Sequence, residues 1–363
     1  MNRSLFALHR WLGLLAGVFL LLIGLSGSIL IYHDSMDRWL NPALYHIEPY
    51  GSRLSLDSMY GIVYQKYSEN FSSLSLDIPA NAEEVYEFTL TEPQENYHTR
   101  RRYIVDIHPY SGTILREGYC DEISTSFIHW VMYFHNSFHY GRIGMLIVSL
   151  VSVTIFLSMI TGLLVYGKNI LNVLMFRIPL RQKSGTRLYR SIHLYVAVWA
   201  LLFNVIVFFT GFWMMKATFT PDAWKLDEQR QKTRLSVSLD SCLAKSRELL
   251  LGFIPDYIAI PLMQGDFIEI DGNMTHTTRL MYGDASRVVF DPQSGEVMEA
   301  TDITQAPFPE NLVAVVWPLH IGNYGGDGIK ILYVIGGLMP GILSISGFML
   351  WWKRKRLYAA FRR

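Results

Sequence analysis

The stretch Tyr189–Met215, YRSIHLYVAVWALLFNVIVFFTGFWMM, decides how this chain is built. It is an apolar run long enough to cross the ~30 Å hydrocarbon core of a bilayer. It opens on a histidine close to arginine and carries Thr-Gly near its far end. The N-terminal run LFALHRWLGLLAGVFLLLIGLSGSILIY follows the same plan, with His9 standing 18 positions before Gly27 as His193 stands 18 before Gly211. Two further runs match each other as closely. His135 precedes Gly162 of TGLLVYGK by 27 positions, and His320 precedes Gly347 of SGFMLWWK by 27. The chain therefore reads as two copies of one unit, with a histidine near the start of each of four apolar spans.

Composition supports this. Half of the 363 residues are hydrophobic, and they concentrate in four windows of membrane-crossing length, Leu12–Ile31, Met145–Tyr166, Leu194–Met215 and Ile329–Trp352. The only charge in them is Lys330, at an edge. The net charge of +1 gives no reason to expect nucleic acid as a partner; membrane lipid is the expected surroundings. Segments 1–10, 167–192 and 353–363 hold 14 of the 32 Lys and Arg residues and no acid. Short basic segments stay on the cytoplasmic side, so both termini are expected inside and both long connections outside. The first span is expected to be retained, because its apolar region is too long for a leader and its twin at 194–215 is internal. Two cysteines, Cys120 and Cys242, allow at most one disulfide, and there is no CxxCH for covalent haem attachment.

The expected fold is a membrane α-helical protein of four transmembrane helices, N-in and C-in, built by internal duplication and carrying two extracytoplasmic α+β modules. The boundaries are a first span in 1–40, a first module in 41–125, a second span with an outer interfacial segment in 126–168, and a basic loop in 169–189. A third span in 190–216, a second module in 217–315, and a fourth span with a basic tail in 316–363 complete the chain. The first module offers a helix in LSLDSMYGIVYQKY, with Ser55 as cap, and strands in VYEFTLT and RRYIVDI. The second offers a helix in LSVSLDSCLAKSRELL and strands in FIEID, TTRLMYG and SRVVFD. Both close on a Pro-x-Ser-Gly turn, with Pro109 and Gly112 matching Pro292 and Gly295.

Four histidines at duplicated offsets in membrane spans call for a function, since ionisable residues there are functional by default. Alternating span direction puts His9 with His193 at the inner face and His135 with His320 toward the outer face. Paired imidazoles in a helical bundle suit six-coordinate, low-spin haem iron made for electron transfer. Two b-type haems are therefore expected, with eighteen helical residues, ~27 Å, separating the two levels. His139, one turn from His135, competes with it as outer ligand; His139 and His33 could instead contact propionates or substrate. Arg10, Arg142, Arg187 and Arg190 lie within about a turn of the histidines, as propionate partners would. Gly27, Gly162, Gly211 and Gly347 are expected to permit close helix packing. Trp39, Trp130, Tyr133, Trp317 and Tyr324 read as an interfacial aromatic belt. His129, His46, His98, His108 and His276 have no repeat partner and are expected at the surface. The chain lacks HExxH, GxSxG, a P-loop and GxGxxG, so any flavin or nicotinamide must come from another protein.

The segments LHRWLG, DRWLNP, FH…GRIG…TGLLVYGK and PLH…SGFMLWWKRK resemble the PepSY-associated transmembrane family, and the module ends VDIHPYSGTIL and VVFDPQSGEVM resemble PepSY domains. The resemblance covers nearly the whole chain. It implies a multi-pass protein of the bacterial cytoplasmic (inner) membrane with its large connections periplasmic. It further implies a di-haem reductase of ferric siderophores or other ferric chelates, fed by a cytoplasmic or membrane electron donor. Two other readings stand beside it: a haem-free membrane protein whose modules bind a partner, and a haem subunit passing electrons to a soluble partner.

Overall fold

A computed structural model describes residues 3–95, 100–178, 185–228, 230–281 and 286–360. Its helices, in chain order, are α1 (Arg3–Leu30), α2 (His33–Leu40), α3 (Leu56–Tyr67), α4 (Phe127–Ser137), α5 (Gly141–Tyr166), α6 (Ile170–Leu174), α7 (Gly185–Trp199), α8 (Leu201–Met215), α9 (Leu239–Leu249), α10 (Phe308–Ile321) and α11 (Gly326–Ala360). The strands are β1 (Ser73–Asp77), β2 (Tyr86–Thr91), β3 (Arg102–Ile107), β4 (Ile114–Tyr119), β5 (Phe253–Pro261), β6 (Ile268–Met274), β7 (Ser286–Phe290) and β8 (Val297–Thr301).

Among the described residues, four helices are long and apolar enough to cross a membrane: Arg3–Leu30, Gly141–Leu174, Leu201–Phe219 and Gly326–Arg356. Their outward side chains are large and apolar, as lipid contact requires; Leu15 is 68 % exposed and Leu202 72 %. The bundle is held by α1 against α11 and α5, α7 against α11, and α5 against α8. Small residues let these helices approach. A Cβ on Gly24 would lie 2.4 Å from the Gly337 carbonyl oxygen, and Ser28 Oγ donates to the Val334 carbonyl at 3.3 Å. The third span reaches back through α7, and the joint at Ala200 keeps its ladder. The Ala200 N–H donates to Val196 O at 2.9 Å and the Asn204 N–H to Ala200 O at 2.8 Å.

The second and fourth spans do not begin where an uninterrupted helix would. In each half a separate helix precedes the span and reverses into it. Phe138 (φ 49°), His139 (φ 62°) and Gly141 (φ 52°) turn α4 back on α5, and Gly322 (φ 70°) and Gly326 (φ 67°) do the same between α10 and α11. The expected outer interfacial segment is thus a helix packed on the bundle, α4 on α1 and α10 on α8. Tyr333 ties the second elbow by donating to the Leu319 carbonyl at 2.6 Å.

The two connections do not fold as separate modules. Their eight strands form one antiparallel sheet in the order β4-β3-β2-β1-β5-β6-β7-β8, joined where β1 pairs β5 with Leu74 opposite Ile260 and Leu76 opposite Ile258. Neither joining strand stood out in the sequence, and β5 has a register irregularity beside Pro255. TTRLMYG, expected as a strand, carries a 3-10 turn over Arg279–Met281. One face of the sheet shares a single core with α3 and α9. Phe88, Val105, Ile258, Ile270 and Phe290 meet Met59, Val63 and Leu239 there.

The two core helices cap each other. Ser55 and Ser238 accept from the third residue on, Ser58 N–H and Ser241 N–H. The Asp240 carboxylate accepts from the Leu56 and Asp57 amides at 3.1 and 3.0 Å, while Asp57 accepts from the Leu239 amide at 2.7 Å and from Ser238 Oγ. Each acid thereby sits on the positive end of the opposite helix. Asp57→Ala and Asp240→Ala should each cost about 1–2 kcal/mol. The check is a lowered thermal midpoint of the sheet domain in the solubilised full chain; an unchanged midpoint would mean that the crossed caps do not hold the halves together.

Candidate functional site

Four hydroxyl-glycine steps sit on the four spans: Ser26-Gly27, Thr161-Gly162, Thr210-Gly211 and Ser346-Gly347. Against each lies one imidazole from the other membrane-embedded arm of the same half. His135 covers Gly27 and His9 covers Gly162; His320 covers Gly211 and His193 covers Gly347. A Cβ on these glycines would stand 2.9, 3.2, 3.0 and 3.4 Å, respectively, from the Cε1 of the ring. The helix-contact role expected for these glycines belongs to Gly24 and Gly337 instead; Gly27, Gly162, Gly211 and Gly347 are cradles for rings.

The polar contacts repeat as faithfully. Nδ1 of His9 lies 3.0 Å from the Ser158 carbonyl, that of His135 3.1 Å from Ile23, and that of His320 3.2 Å from Val207; His193 meets the Leu343 carbonyl. Each carbonyl stands four residues before the cradle glycine. The hydroxyl beside the glycine is also in reach: Ser26 at 3.0 Å, Thr210 at 3.1 Å, Ser346 at 2.9 Å and Thr161 at 3.4 Å. These hydroxyls donate to carbonyls of their own helix, as Ser26 does to Leu22 at 2.9 Å. A carbonyl only accepts, so Nδ1 carries the proton and Nε2 keeps its lone pair. Among the described residues, Nε2 of these four histidines has no hydrogen-bond partner.

The rings then meet across the two halves. His9 and His193 have centroids 6.3 Å apart at 76°, and His135 and His320 have centroids 6.3 Å apart at 51°. Two imidazoles sharing one metal at about 2.0–2.1 Å, with ring centres about 1.1 Å further back, have centres roughly 6.3 Å apart. No group of three or more His, Cys, Asp or Glu able to hold a metal occurs among the described residues. An ion between either pair would therefore need to bring its other ligands with it. Beside His9 and His193 lies a cavity of about 250 Å³, with Arg10, Arg190 and Arg354 among the residues lining it near the chain's basic segments and Asn204 and Phe208 lining it deeper in the span.

Other sequence candidates fall elsewhere. His139 does not face His320; its ring packs 4.9 Å from Trp130 and parallel to Tyr133, with Nε2 buried and unpaired. Arg10 keeps a buried Nε without a hydrogen-bond partner among the described residues and lies over Trp11. Arg142 donates to the Lys225 carbonyl at 2.8 Å and so serves the connection above the bundle. His33 pairs with the adjacent Asp34. His129, expected at the surface, lies with its Nε2 3.6 Å from Glu87 in a buried charge cluster; burial holds it neutral, down to about 4. His46 and His276 are exposed, His108 is partly so, and His98 lies outside the described residues. Cys120 and Cys242 are buried free thiols.

The sequence pointed to the histidines and the glycines but not to what joins them. The signal that could have done so is the Ser or Thr directly before every cradle glycine. A search of the curated proteins finds no match for this chain. The family model described as the PepSY-associated TM region matches residues 6–354, nearly the whole length, and the chain belongs to that family of membrane proteins.

Proposed function

We propose that this protein carries electrons across the bacterial cytoplasmic membrane through two b-type haems and reduces a ferric chelate, such as a ferric siderophore, on the periplasmic side. The observation that carries the reading is the pair of facing imidazole sets, each ring seated on glycine, each Nδ1 committed to a carbonyl, each Nε2 free. Such locked histidines are typical of metal ligands, whose second nitrogen donates to a fixed acceptor. With two nitrogens per site and, among the described residues, no third His, Cys, Asp or Glu to join them, the donor set fits an iron that arrives in a tetradentate macrocycle. Haem held by two histidines supplies a one-electron couple without an open coordination position.

His9 and His193 would hold the inner group, and His135 and His320 the outer one. Arg10 and Arg190 line the inner cavity near the chain's basic segments, and the unsatisfied Arg10 Nε is a donor for a carboxylate there. Gly162 and Gly347 leave room for the rings, while buried Ala16, Ile155 and Phe208 keep water from the space between the levels. Phe208 lines the inner cavity, and its neighbour Val207 holds His320.

Direction follows from charge. The basic segments face the cytoplasm, so electrons enter at His9 and His193 from a cytoplasmic or membrane donor. They leave at His135 and His320, beneath the sheet. The ferric chelate rests on the family resemblance and on coordination chemistry: hard oxygen ligands hold Fe(III) far better than Fe(II), so one electron loosens the complex.

A reduced-minus-oxidised visible spectrum of the purified chain should show b-type bands for two haems. His193→Ala and His135→Ala should each remove about half of the haem, and His139→Ala none. A chain without these bands leaves the sheet as a binding domain anchored by four helices. Dithionite-reduced protein should be reoxidised by a ferric siderophore; a reduced spectrum that persists would move the acceptor to a soluble partner. Gly27→Ala and Gly211→Ala should cost the outer haem by displacing His135 and His320. Gly61→Ala, facing open space, should keep both haems and stabilise α3 by about 0.5–1 kcal/mol.

A further inference from the structure

The sheet face opposite its apolar core carries ionisable groups in its interior. Asp106 on β3 is fully buried and accepts from Nε of Arg116 on β4. Arg116 also donates to Glu87 on β2 at 3.1 Å and lies 3.8 Å from Asp37 on α2. Tyr45 donates to Asp37. Neutral His129 on α4 stands 3.6 Å from Glu87. Asp77, Arg102 and Cys120 also act on this cluster, with Tyr257, Tyr133 and Asp121 beside them.

Three carboxyls face one guanidinium at close range, so full ionisation leaves uncompensated negative charge in a poorly solvated place. Glu87 and Asp106 respond. Burial, then Asp77, pushes Glu87 up to about 7; burial, then Glu87, pushes Asp106 up to about 7. Between them the two carboxyls exchange a proton with the medium near neutral pH. The cluster touches α4, and His129 lies six residues, about 9 Å of helix, before His135. Other ionisable groups near that end are His33 with Asp34, 43 % and 65 % exposed and screened by water, Lys330 beside them, and His139, which packs on Trp130.

We propose that Glu87 and Asp106 are the proton-uptake site for the His135/His320 centre. This rests on the haem reading above. One electron arriving between those histidines brings one proton from the aqueous phase on the sheet side onto the Glu87–Asp106 pair. When the electron passes to the ferric acceptor, the proton returns to that phase. One electron and one proton enter, the same two leave, and no other reactant is consumed. The driving force is electrostatic: negative charge added beneath the sheet raises the proton affinity of the nearest carboxyl pair already poised to bind.

The test is a spectroelectrochemical titration of the haem-loaded full chain at several pH values, in a His193→Ala background so that the outer centre is read alone. Reduction that takes up a proton is disfavoured as protons become scarce. The midpoint potential should therefore fall with rising pH, toward the ~59 mV per tenfold change in proton activity that one proton per electron requires. Glu87→Gln and Asp106→Asn should flatten the dependence, and Asp34→Asn should keep it. The infrared reduced-minus-oxidised difference should contain a carboxylic-acid C=O stretch that Glu87→Gln removes. If Asp106→Asn does not fold, the less buried Glu87→Gln carries the test. An outer haem whose potential ignores pH, or a slope that survives Glu87→Gln, overturns the proton site and leaves the haem reading standing. A chain without haem bands sinks that reading first.

Discussion

Each of the four half-buried histidines donates Nδ1–H to a main-chain carbonyl of the neighbouring helix, and the rest of the bundle is arranged around that bond. A side-chain acceptor could rotate away; a helical carbonyl cannot. The bond fixes the tautomer and the ring's rotation about its stem, and so the direction in which the second nitrogen presents its lone pair. A helical carbonyl is already engaged by the amide four residues on, so the ring must approach from the side, flat along the backbone. That approach is open only where no Cβ projects, which is why glycine follows one turn later. The hydroxyl beside it serves both partners, spending its proton on its own helix and offering its oxygen to the ring.

The same requirement explains why the second and fourth spans are preceded by separate helices. A histidine at the mouth of a straight span would point into the interface. By reversing at Phe138–Gly141 and at Gly322–Gly326, the chain brings α4 and α10 back alongside α1 and α8. His135 and His320 then meet carbonyls within those spans. The sheet above supports α4 from the other side through the Glu87, Asp106 and Arg116 cluster. One short helix thus carries both His129, against the charge cluster of the sheet, and His135, against α1.

How much of this could be read in the sequence depended on what repeats. The spans were legible because hydrocarbon imposes length and composition together. The histidine partners were legible because duplicated offsets and alternating direction leave few ways to pair them. The reversals were only half legible: Gly141, Gly322 and Gly326 mark them, but the positive φ of Phe138 and His139 carries no signal in the residue type. The single sheet was not, because β1 is short and β5 carries Pro255, and pairing between distant strands leaves no local trace. The cradle motif was half seen: Gly27 and its equivalents drew notice, and so did the Thr-Gly step of the third span, but no role fell to Ser26, Thr161, Thr210 or Ser346. His129 was misplaced because the carboxylate beside it, Glu87, comes from β2, well upstream in the chain.

Every feature that completes the molecule crosses from one half to the other: both histidine pairings, the β1–β5 ladder, and the exchange of Asp57 and Asp240 between helices. Severed at the basic loop, either part would keep two solitary imidazoles and a bare strand edge. Only a second copy of itself could supply what it lacks. The geometry is that of a homodimer written on one polypeptide, and fusion removed the dependence on concentration that any two-chain forerunner would have had. The two halves differ in their charges all the same: Glu87 and Asp106 on β2 and β3 share Arg116, whereas the buried Asp271 on β6 pairs with Arg287 on β7.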